Sequence, residues 1–186
     1  MRIVTLLFLA SICIFTGCKN FAPQISANNG TTSSPTPLRS KTDPDSALEL
    51  TLERTACYGT CPVYIVNILP DGKIVFDGKQ NTSVKGEATD TLSKEKKAQL
   101  IEAIDTAAVF SLKDSYLGSE DDCPARATDA PSVNLTVKLN GREKSIKHYW
   151  GCVEEKDFKV FPASLFILEN KIDEIIDTRR WVKSEN

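Results

Sequence analysis

The chain has 186 residues, 41% of them hydrophobic and 26% charged, and a formal net charge of -2. That length supports one domain with a real core and not two comfortable ones. The near-neutral balance, with no basic block able to neutralise a run of phosphates, excludes a nucleic-acid partner.

Arg2 precedes an apolar run, Ile3 to Phe15, that is too short to span a bilayer and typical of an export signal. The run ends in Phe15-Thr16-Gly17-Cys18, which resembles the bacterial lipobox with phenylalanine in place of its usual first leucine. The expectation is a lipoprotein signal peptide over residues 1–17, removed together with Cys13, and a lipid (palmitate among its acyl chains) on Cys18. Residues 18–46 then form the anchor and a tether. They are rich in Ser, Thr, Asn and Pro and nearly free of large apolar groups. Such a segment cannot bury enough surface to offset its ordering entropy. As a random coil it would reach about 30 Å. The absence of Asp at position 19 resembles lipoproteins sorted to an outer membrane, so the expected location is the bacterial cell envelope, facing the periplasm or the surface.

Residues 47–183 are expected to form the single folded domain. Ala47 to Glu53 alternates as an opening strand. Val63 to Phe76 reads as a hairpin turning at Pro70-Asp71-Gly72. Thr82 to Leu92 is mostly polar, as a weak edge strand. Ser93 is a plausible helix N-cap, and Leu100, Ile101, Ile104 and Ala108 recur at helical spacing, which predicts a helix over about 93–108. Residues 113–132 read as a long acidic loop containing Cys123.

The hairpin that follows has the clearest pattern in the chain. Val133, Leu135, Val137 and Leu139 alternate with polar residues, and Asn140-Gly141 suits a type I′ turn. A two-residue loop pairs Leu139 with Arg142, Leu135 with Ile146 and Val133 with His148, putting His148 on the apolar face. Phe161, Leu165, Leu168, Ile172 and Ile175 then predict a core-facing helix from about Pro162 to Thr178, with Trp181 closing the core edge. The predicted fold class is α+β: an antiparallel sheet of about five strands with two helices packed on one face.

Between the first strand and the hairpin stands Cys57-Tyr58-Gly59-Thr60-Cys61-Pro62. Residues four apart on an extended strand lie about 13 Å apart, whereas bridged Cα atoms need roughly 4.4 to 6.8 Å. A Cys57–Cys61 bridge therefore demands a tight turn, and Gly59 permits one. The stretch LERT-x-CYGTCPVY, the DG hairpin, TD-x-P-SV before the NG hairpin and a closing Trp together resemble the bacterial exported domain of unknown function 6438 family. The likeness covers about residues 48–181. It implies an exported, often lipidated domain without an established activity, and it implies a Cys123/Cys152 pair in some members rather than all.

Four cysteines remain after processing, and an even count in an exported protein reads as two disulfides with three possible connectivities. Closeness in sequence favours Cys57–Cys61, which leaves Cys123–Cys152. The same atoms allow sharper chemistry. Cys57, Cys61 and His148 resemble the copper ligands of Sco-type assembly proteins, although a strand rather than a helix is expected after Pro62. A redox dithiol would need a nearby cation, for which Arg54 is the candidate. Zinc could use Cys57, Cys61, His148 and Cys152. The acidic loop, with Asp114, Glu120, Asp121, Asp122 and Asp129, could offer oxygen ligands to calcium but lacks D-x-D-x-D-G spacing. With no nucleophile elbow or phosphate loop, no catalytic residues are expected.

The leading reading is a lipid-anchored envelope domain, a non-catalytic binding or structural module without a cofactor. Its partners would be the membrane, through the anchor, and an envelope protein or glycan. The alternative is a thiol-based copper-binding or redox protein using Cys57 and Cys61.

Overall fold

The computed structural model describes residues 46–182. The expected signal segment, Cys18 and nearly all of the expected tether lie outside the described residues. In chain order the elements are β1 (Leu48–Arg54), β2 (Val63–Ile68), β3 (Lys73–Gln80), β4 (Gly86–Thr91), α1 (Lys94–Thr106), β5 (Ser115–Tyr116), β6 (Ala125–Arg126), β7 (Ser132–Leu139), β8 (Arg142–Tyr149), β9 (Cys152–Val153) and α2 (Ala163–Ile176).

Every second residue of the long strands turns inward, as a one-sided sheet requires. Leu48, Leu50 and Leu52 of β1 lie beside Tyr64, Val66 and Ile68 of β2 and Val133, Leu135, Val137 and Leu139 of β7, all buried. Leu100, Ile101 and Ile104 of α1 and Leu165, Leu168, Ile172, Ile175 and Ile176 of α2 complete the same core. The two helices thus cover one face of the sheet, as expected. The other face is open and lightly bonded: Thr51 meets Asn67 at 2.8 Å, and Asn134 donates to Glu53 at 2.8 Å.

Among the described residues the sheet has seven strands, in the order β4-β3-β2-β1-β7-β8-β5, two more than the periodicity suggested. All neighbours are antiparallel except β5, which runs parallel to β8. Only two residues long and set in the acidic loop, β5 is too short to carry an alternation. The β6–β9 ribbon beside it is equally short. The type I′ turn is present, with φ of 51° at Asn140 and 79° at Gly141, and the paired residues of β7 and β8 are those expected. Ser93 caps α1, accepting from the Lys96 amide at 3.2 Å. Phe161 departs from expectation: α2 starts at Ala163, so Phe161 is not the first residue of its stripe. Beyond α2, Trp181 stacks on Phe76 with ring centres 5.0 Å apart. Among the described residues no helix is long and apolar enough to cross a membrane.

Candidate binding cleft beside the cysteine motif

The inward phase that buries leucines at positions 48, 50 and 52 also turns Arg54 inward. Strand register then lines up Tyr64, Arg54, Val133, His148 and Tyr116 as one row across the sheet. Four of these carry polar atoms, and all five are buried. Helix α2 crosses this row and presents Glu169 and Asp173, one turn apart and so on one helix face.

Asp173 accepts from Arg54 Nε at 2.7 Å, from Tyr64 Oη at 2.7 Å and from Thr178 Oγ1 at 3.0 Å, and Arg54 Nη2 lies 2.5 Å from its Oδ2. Arg54 also donates through Nε to Tyr64 Oη and through Nη2 to the Glu169 carbonyl. Burial alone would lower the pKa of Arg54, but the Asp173 carboxylate overrides it and holds the guanidinium above its ordinary value. Burial pushes the Tyr64 hydroxyl up, and the adjacent Asp173 carboxylate adds to the effect. Breaking a buried pair of this kind costs about 3 to 5 kcal/mol, because it orphans a charge.

Glu169 serves the other half of the row. Its carboxylate lies 3.0 Å from His148 Nδ1 and accepts from Trp150 Nε1 at 2.6 Å. His148 Nε2 lies 3.1 Å from the Phe161 carbonyl. Both ring nitrogens therefore face oxygens, and because the Phe161 carbonyl can only accept, Nε2 is the donor of that contact. The Trp150 ring carries Arg54 on its face, 4.2 Å from ring centre to guanidinium carbon. Two carboxylates on one helix thus join β1, β2 and β8 into a single network. Among the described residues no buried side-chain polar atom is left without a partner.

Immediately beyond Arg54 the chain makes the cysteine loop. Cys57 and Cys61 are bonded, with Cα atoms 5.7 Å apart, and Gly59 sits at φ 151°. The loop is tied to neighbours by the Tyr58 amide, which donates to the Asp129 carbonyl at 3.3 Å, and by Asn81, which donates to the Cys61 carbonyl at 3.1 Å. Tyr58 itself projects into solvent, 88% exposed. Cys123 and Cys152 form the second bridge, buried, and pin the acidic loop beside the β6–β9 ribbon.

The metal readings are not supported by this placement. A strand, β2, starts directly after Pro62. His148 is fully buried with both nitrogens engaged, so its ring cannot turn to Cys57 and Cys61. Cys152 is bonded to Cys123, which removes it from a zinc set. Among the described residues no three His, Cys, Asp or Glu side chains converge as ligands would. The acidic loop does not gather for calcium either, since Asp114 pairs with Lys144 and Asp122 with Lys113. Arg54, the cation proposed for a redox thiol, is committed to Asp173.

Instead, the motif forms one wall of a cleft of about 680 Å³. Cys61 and Pro62 stand on the motif side, Arg54, Tyr64 and Trp150 on the sheet side, and Asn170, Asp173, Glu174, Thr178 and Arg179 on the helix side. A second groove of about 640 Å³ runs between α1 and α2 past the exposed Ile167. A model of the family described as a domain of unknown function (DUF6438) matches residues 48–176. The chain belongs to that family. The DUF6438 match runs from the first residue of β1 to the last helical residue of α2, so it contains the whole polar row and the cysteine motif. No curated protein matches the chain.

The residues that build this cleft were visible in the sequence but not as a site. Arg54 continues the inward phase of β1, Tyr64 that of β2, and Glu169 follows Leu165 by four on the apolar stripe of α2. Polar residues in apolar phase were the available signal.

Proposed function

We propose that this protein is an envelope lipoprotein anchored through Cys18, whose domain is a non-catalytic binding module using the cleft beside Cys57-Tyr58-Gly59-Thr60-Cys61-Pro62. One observation carries the reading: the cleft is concave, part apolar and part polar, and walled by groups that other contacts hold rigid. The bridge fixes one wall and the Arg54–Asp173 pair another. Preorganised clefts of this size are where proteins take ligands. Tyr58, displayed on the clamped five-residue loop that also carries Cys61 of the cleft wall, has the character of an interface anchor. An envelope protein or glycan is the class of partner that an anchored domain can reach.

The test is a photo-crosslinking scan in living cells, with benzoylphenylalanine replacing Tyr58, Arg179 or, as a control on the sheet edge, Thr89. The expected result is a discrete adduct from the first two positions and none from the third. Cys18→Ala should release the protein from washed membranes and deplete that adduct. A common adduct pattern from all three positions, or retention of the Cys18→Ala protein on membranes, would contradict the proposal.

A further inference from the structure

Arg54 is 7% exposed and can donate five N–H bonds. Its Nε and Nη2 are taken up by Asp173, Tyr64 and the Glu169 carbonyl. Nη1 has no protein acceptor among the described residues, and since no buried polar atom there is left unpaired, it is open to solvent where Arg54 lines the cleft. Asp173 opposite it is saturated by four donors from Arg54, Tyr64 and Thr178. Glu174 is engaged by Lys171 at 3.0 Å. Arg179, exposed on the same lining, has no ion-pair partner among the described residues. The unmet capacity of the cleft is thus donor capacity, from a buried guanidinium and a rim guanidinium.

We infer that the cleft binds a carboxylate carried on an apolar body, with the carboxylate taking Arg54 Nη1 and Arg179 and the body resting on Trp150 and Pro62. The inference rests on the cleft being the domain's binding place. A carboxylate suits the charge better than a phosphate. Among the charged residues of the lining, Arg54 pairs with Asp173 and Glu174 is held by Lys171, so Arg179 is the one unpaired charge there, positive, for one negative charge. A second negative charge would find no further unpaired cation on that lining. Planar guanidinium donors also match a planar carboxylate. A peptide's terminal carboxylate and a free organic acid share this chemistry.

The experiment titrates the full chain with N-acetylphenylalanine, its uncharged amide, phenyl phosphate and a pentapeptide ending in free phenylalanine. The readout is the Trp150 indole signal in a proton–nitrogen spectrum, assigned against Trp150→Phe. The acid should shift that signal saturably and bind at least about tenfold tighter than the amide, as charge-assisted bonds require. Arg179→Gln, a surface change that leaves the buried network intact, should shrink the acid's advantage. Tighter binding of the pentapeptide assigns the site to peptide ends, and equal or weaker binding assigns it to small acids. Equal binding of acid and amide overturns the carboxylate while leaving the cleft as a binding place. Preference for phenyl phosphate overturns it in favour of phosphate. No shift with any probe also overturns it, and the crosslinking scan then decides the binding reading separately.

Discussion

Asp173→Ala is the perturbation that interrogates the buried network most severely. It removes the acceptor for Arg54 Nε and Nη2, for Tyr64 Oη and for Thr178 Oγ1 in one step. Arg54 would remain buried without the carboxylate that pairs it. Losing one partner of such a pair costs about 3 to 5 kcal/mol. The Asp173 side chain is 17% exposed, so water can reach the vacated position and the lower end, about 3 kcal/mol, is expected. With a urea slope of about 2 kcal/mol/M, the midpoint should fall by about 1.5 M. The pair itself is not the source of stability, because both charges also lose hydration. Arg54→Met combined with Asp173→Leu should therefore recover most of the loss, to within about 1 kcal/mol of the natural protein. Urea titration of the three proteins, followed by far-ultraviolet circular dichroism, reads both numbers. A loss below about 1 kcal/mol for Asp173→Ala would mean that solvent screens the pair. A double variant as unstable as the single one would place the cost in packing rather than in the orphaned charge.

The bridges should differ in weight. Replacing Cys123 and Cys152 by alanine should cost about 3.5 kcal/mol, and replacing Cys57 and Cys61 about 2 kcal/mol, both read by thermal or urea unfolding under oxidising conditions. Tyr64, whose folded pKa is raised, contributes stability that is complete below its unfolded value of about 10 and declines as pH rises above it, by at most about 1.4 kcal/mol per pH unit. Tyr64→Phe should flatten that alkaline decline, and an unchanged slope would refute the assignment. A chain beginning at Ser46 should melt within about 2 °C of the longer protein, since a loss of even 1 kcal/mol would shift it by more. Ser46 must be kept because it is buried and receives a bond from Asn140.

Much of the fold was legible because it depends on neighbours in sequence. The Asn140-Gly141 turn dictates the β7–β8 register, and strict alternation dictates which face is buried. The Ser93 cap and the Leu100 stripe locate α1 in the same way. The elements that were not legible depend on distant partners. Ser115–Tyr116 becomes a strand only because β8 offers a free edge, and Cys152–Val153 becomes one only beside Ala125–Arg126. The cleft was illegible for the same reason. Arg54 and Asp173 are separated by 119 positions, and no periodicity in either segment indicates that they meet. Arg54 drew notice only as a cation near the cysteines, whereas strand phase had already turned it away into the core. His148 was placed correctly on the apolar face, but nothing near it in sequence indicates that Glu169, polar on the apolar stripe of α2, is its partner.

The central claim is that Cys57 and Cys61 form a structural wall of a binding cleft and are not the seat of metal or redox chemistry. The most direct measurement is intact mass of the purified protein after alkylation, with and without prior reduction, and after exposure to Cu(I). The expected result is no alkylation of Cys57, Cys61, Cys123 or Cys152 before reduction, four alkyl groups on them after it, and no copper retained by the unreduced protein. Free Cys57 and Cys61 thiols in the untreated protein, or copper bound at one ion per chain, would contradict it.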